Sequence, residues 1–103
     1  MLDASLLEAD AVAIIESNAT DTALIDGAIA LPVIFDRRVF DAAGALQSNR
    51  AAVRFAAAAY PEPGARIGDV MVIRRMDWKI VAWAEGSDDS VQSAILERVS
   101  EEI

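Results

Sequence analysis

Two apolar runs, Val70-Met71-Val72-Ile73 and Ile80-Val81-Ala82-Trp83, flank a short polar connection. Their β-branched and aromatic content predicts the two arms of an antiparallel hairpin. Gly68-Asp69 opens the hairpin, and Trp78 and Trp83 anchor its second arm. The tryptophans stand five residues apart, which predicts opposite strand faces, one in the core and the other at the surface or an interface. The connection Arg75-Met76-Asp77 lacks the Gly or Asn expected of a tight primed turn, so the register stays open.

The same pattern upstream predicts a short helix from Asp3 to Ala9 behind an Asp3 cap; residues 11–16 could prolong it, but Val12, Ile14 and Ile15 are β-branched and a turn cluster follows, so a first strand is expected over 11–16. Asp26-Gly27 is a turn dipeptide, and the apolar run 28–36 after it contains Pro32, which donates no ladder hydrogen bond. That run is expected at a sheet edge or at a bulge, and an edge is a docking surface. Residues 37–49 show neither period and are expected to form a long mobile loop or a wide hairpin with Val39 and Phe40 folded back on the core.

Two segments are ambiguous. Propensity makes the Ala-rich stretch 50–60 helical, whereas the alternation of Val53, Phe55, Ala57 and Ala59 with Arg54, Ala56 and Ala58 suits a half-buried strand. Pro61-Glu62-Pro63-Gly64 ends either element. Val91, Ile95 and Val99 fit a helical stripe, but with Ser93 they also share one strand face, and a last strand is expected over 92–98. The elements add up to a mainly β domain of about six strands with a short N-terminal helix.

Length and charge narrow the picture. The 103 residues suffice for one domain, 1–103, with one core. The net charge of −8 argues against general binding to phosphate backbones. With neither cysteine nor histidine, the chain lacks disulfides, thiol nucleophiles, the usual zinc ligands and imidazole bases. No apolar run is long enough to span a bilayer, and the chain reads as soluble and intracellular when made. Asp88-Asp89 with Asp36 or Asp41 hints at a divalent metal, yet the spacing matches no EF-hand. No enzyme, cofactor or metal is expected.

The charge is unevenly spread: residues 1–36 carry −7, residues 37–84 carry +4 and residues 85–103 carry −5. Such a subunit is suited to stacking on copies of itself or on an oppositely charged neighbour, unless folding mixes the segments. Arg37-Arg38 and Arg74-Arg75 are its paired bases, read either as partners for acidic neighbours or as solvated charge at strand ends.

In chain order, Ile34-Phe35-Asp36 closes a strand, Gly68-Asp69 opens a hairpin and Trp78-Lys79-Ile80-Val81 forms an aromatic strand. This series, within residues 20–98, resembles the head-tail joining (tail attachment) proteins of long-tailed bacteriophages. The resemblance implies a small antiparallel β-barrel or sandwich that forms a homo-oligomeric ring at the virion neck after synthesis in the host cytoplasm. Its implied partners are the portal or adaptor and the tail, with DNA only passing through the lumen and no membrane involved. The expected interface residues are Arg37, Arg38, Val39, Phe40, Leu46, Arg74, Arg75 and Trp83. Two other readings are another tail protein, such as a terminator or tube subunit, and a small cytoplasmic binding or regulatory β domain.

Overall fold

The structure is a computed structural model and describes residues 12–39, 43–87 and 90–99. Six strands follow one another: β1 (Asp21–Ile25), β2 (Ile29–Asp36), β3 (Arg50–Ala56), β4 (Val70–Ile73), β5 (Met76–Trp83) and β6 (Val91–Arg98). They close into an antiparallel barrel in the order β1-β2-β3-β6-β5-β4. Leu24 opposite Val72 and Ile25 opposite Met71 bring the last strand back to the first.

Strand alternation builds the interior. Ala23 and Ile25, Leu31, Val33 and Phe35, Ala51, Val53 and Phe55, Met71 and Ile73, Trp78 and Ile80, and Ala94 and Leu96 are all buried in one cluster. Each set steps by two along its strand, as a wall with one inward face requires. The segment 50–60 is therefore a strand up to Ala56, followed by a 3₁₀ turn at Ala57–Ala59. Burial of Val53 and Phe55 outweighs the helix propensity of the alanines, a difference of only tenths of a kcal/mol per residue.

Several expectations are corrected. Residues 12–18 are helical, so the expected strand is a helix from residue 12 on; the expected helix at Asp3 to Ala9 lies outside the described residues. Ile15 is buried against Ala56, with Val12, Ile34 and Val91 around it, so the helix covers the outer wall of β2, β3 and β6. That burial overrides the modest reluctance of β-branched residues to be helical. The first strand is instead β1, after the turn cluster. Pro32 lies on no open edge, because the barrel is closed. It faces Thr22 of β1, while the β2–β3 ladder begins only at Ile34, so its missing N–H falls where β2 has a single neighbour. The last strand expected over 92–98 is β6, in which Val91, Ser93 and Ile95 share one face and Ala94 and Leu96, on the other, enter the core.

The β4–β5 connection is a two-residue turn at Arg74-Arg75, with φ of 54° and 64°. It is a primed turn made without glycine or asparagine. Its geometry matches the strand twist, and it costs on the order of 1–2 kcal/mol for each L-residue held left-handed. At the hairpin entrance Gly68 has φ of 99°, which an L side chain rarely adopts. Its N–H donates to the Ile80 carbonyl, and Ile80 N–H donates back to Asp69, extending the ladder past β4.

Candidate functional site at the arginine end of the barrel

Strands that alternate in direction along the chain collect alternate connections at the same end. The start of β1, the 37–49 connection, the Arg74-Arg75 turn and the end of β6 all meet at one end. This gathers Arg37, Arg38, Arg50, Arg74, Arg75 and Arg98 against Asp21, Asp36, Asp77 and Glu97. Val39 and Leu46 belong to the same end, Val39 half-buried and Leu46 57% exposed. Phe40 lies outside the described residues. Trp83 belongs to the other end.

Two of the arginines close the barrel. Arg74 donates from Nε to Asp21 Oδ1 at 2.8 Å and from Nη2 to Asp21 Oδ2 at 2.9 Å, a bidentate pair. Its guanidinium also lies over the Phe35 ring, 5.1 Å from the centroid. Phe35 meets Trp78 edge-on at 5.4 Å, and Arg37 lies over Trp78 at 5.4 Å while donating to the Ser48 carbonyl at 3.2 Å. The series Arg37, Trp78, Phe35, Arg74 thus caps the core with two cation–π contacts. Trp78 is fully buried, and its indole N–H finds no acceptor among the described residues. The Arg74 hydrogen bond, first among the causes, holds the Asp21 carboxyl below its ordinary range.

The remaining arginines face outward. Arg38 pairs with Asp36 at 3.1 Å while staying 80% exposed, and this hydrogen bond depresses the Asp36 pKa. Arg50 reaches Glu97 across the β3–β6 pair at 3.4 Å. Arg75 and Arg98 make no side-chain hydrogen bond or ion pair among the described residues, and with Asn49, Asp77 and Glu97 they border an open groove of about 550 Å³. The 37–49 connection is tied down at both described ends: Gln47 N–H donates to Val39 O at 2.7 Å and Arg98 N–H to Asn49 O at 2.8 Å.

Arg50, Arg98, Asn49 and Asp21 escaped the sequence reading. Arg50 and Asp21 open their strands and Arg98 closes its own, so the available signal was a charge at a strand terminus. It becomes informative only once β3 is known to pair with β6 and β4 with β1.

The opposite end is acidic. Asp26, Glu62, Asp69 and Glu85 stand there with Arg66 as the base among the described residues. Tyr60 is buried and donates its hydroxyl to Asp69 Oδ2 at 2.9 Å, and the Arg66 backbone N–H donates to the same oxygen at 3.0 Å. Burial first, and then the bond to Asp69, push the Tyr60 pKa far above that of a free phenol. Trp83, 40% exposed, is at this end too. A register shift between Ile80 and Ala82 pairs Trp83 with the core-facing Ala94, so its exposure follows from its place at the end of β5 and not from strand parity.

Chemically, the arginine end offers planar donors suited to carboxylates. Among the described residues no three His, Cys, Asp or Glu side chains group to hold a metal ion, and no helix is long and apolar enough to cross a membrane. No family model, curated protein or solved structure matches the chain.

Proposed function

We propose that this chain is a structural subunit of the neck of a tailed bacteriophage. It assembles as a ring between the portal or adaptor and the tail and joins the DNA-filled head to that tail. The observation that carries this reading is the gathering of Arg37, Arg38, Arg50, Arg74, Arg75 and Arg98 on one end of a closed barrel. A barrel without open edges meets its neighbours through side chains and loops rather than by adding strands, and arginine is the base best fitted to a protein interface.

The motifs of the resemblance support the same reading because each has structural work. Ile34-Phe35-Asp36 ends β2 and places Phe35 in the arginine-capped core. Asp69, beside Gly68, anchors Tyr60, and Trp78 forms the centre of the cap. Subunit function then resides in the exposed arginines and the loops beside them.

Deleting the gene from a phage that carries it tests the reading. DNA-filled heads and separate tails are expected to accumulate unjoined, with purified protein restoring joining in the extract. Normal numbers of infectious tailed particles from the deletion would overturn it.

A further inference from the structure

The two ends of the barrel are complementary to each other. At one end the six arginines named above face four carboxylates, a net of +2 among the described residues; at the other, four carboxylates face Arg66, a net of −3. Among the described residues, most of the exposed large apolar side chains also lie at the ends: Leu46 and Val99 with the arginines, and Ile29, Ile67, Val70 and Trp83 with the acids. Apolar residues ringed by charge of opposite sign are what two surfaces need in order to exclude water and still fix their register.

The relation is sharpest along the β1–β4 pair. The left-handed turn at its basic end carries Arg74 and Arg75. Arg74 is spent on Asp21, whereas Arg75 is exposed and makes no side-chain hydrogen bond or ion pair among the described residues. The turn at the other end of β1 carries Asp26, also left-handed at φ 54°, beside a cleft of about 190 Å³ that Tyr60, Glu62 and Asp69 help to line. One strand length, about 17 Å at ~3.3 Å per residue, separates Asp21 from Asp26.

We propose that copies of this chain associate head to tail, the Arg75 tip of one barrel docking on the acidic end of the next beside Asp26 and Glu62. The occupant is a second copy because the chain carries both complementary surfaces, each with its own exposed apolar residues. Such a contact is heterologous: it closes a ring where the rotation between subunits allows and otherwise builds an open stack. The inference deepens the ring reading proposed above.

A charge exchange tests it with little backbone disturbance, because Asp and Arg each already occupy left-handed positions in this protein. Sedimentation velocity of the full chain at low salt is expected to show concentration-dependent association that weakens as salt rises. Arg75→Asp alone and Asp26→Arg alone should each weaken association by about tenfold or more. The double variant, or an equimolar mixture of the two single variants, should restore it. Thermal melts report whether each variant folds; should Asp26→Arg not fold, Glu62→Arg takes its place.

A wild-type chain that stays monomeric at every concentration and salt overturns the proposal. So does a folded double variant that stays as weak as the singles, and so does a labelled DNA duplex bound by a chain that does not self-associate. A self-associating chain whose deletion leaves joined heads and tails would leave the contact standing and remove only the neck reading.

Discussion

Arg74 and Asp21, fifty-three residues apart in the chain, form a two-pronged ion pair with N–O distances of 2.8 and 2.9 Å. The pair ties the turn after β4 to the first residue of β1. It sits at the seam where the barrel closes, so a contact between charged side chains helps to define the topology.

The pair makes stability depend on acid. Folding lowers the Asp21 pKa, so its contribution is fully present above the ordinary carboxylate pKa and is lost as pH falls through the lowered value. Asp21→Asn should melt a few degrees below the wild type near neutral pH. The gap should close as pH falls through the lowered carboxyl pKa, where the wild-type side chain also becomes uncharged; thermal melts at several pH values check this.

Tyr60 is the only tyrosine, so its titration is directly visible. Its raised pKa predicts no phenolate absorbance at about pH 10, where a free tyrosine is half ionised. The same shift contributes stability below that pH that is lost as pH rises further. Tyr60→Phe, which removes the bond to Asp69, should cost about 1–3 kcal/mol in urea denaturation.

The paired arginines divide into different roles. Arg38 is 80% exposed, so Arg38→Glu should leave the melt unchanged and act only on assembly. Arg37 lies over Trp78 and bonds the Ser48 carbonyl, so Arg37→Glu should also lower folding stability by about 1 kcal/mol. Equal melts for the two variants would remove Arg37 from the cap.

The two tryptophans should be separable by quenching. Acrylamide is expected to quench Trp83 emission strongly in Trp78→Phe and Trp78 emission weakly in Trp83→Phe, following exposures of 40% and 0%. Trp83→Phe should leave stability nearly unchanged. Trp78→Ala should cost about 3–5 kcal/mol and endanger folding of so small a domain.

Ile15→Ala tests the helix placed where a strand was expected. Ile15 is 2% exposed against Ala56, and losing its side chain should cost about 2–4 kcal/mol. A change within a few tenths would mean that the helix does not dock on β2, β3 and β6.

The sequence by itself determined the mainly β class, the β4–β5 hairpin, the strand after Asp26-Gly27 and the paired arginines. Each rests on chemistry confined to neighbouring residues: β-branched alternation, turn dipeptides and runs of charge. Helix 12–18, the inward parity of β6 and the Trp83 register were not legible there. Ile15 is helical because Ala56, Ile34 and Val91 offer it a surface, and Ala94 and Leu96 face inward because β3 and β5 set their phase.

The arginine end belongs to the same class of fact. Arg37, Arg50, Arg74 and Arg98 are scattered along the chain, and only closure of the barrel through the β1–β4 seam assembles them on one surface. Local sequence specifies which residues carry charge. Which charges meet, and which are left facing outward, depends on long-range strand pairing, because a one-residue change of register would turn every side chain of a strand to the other face.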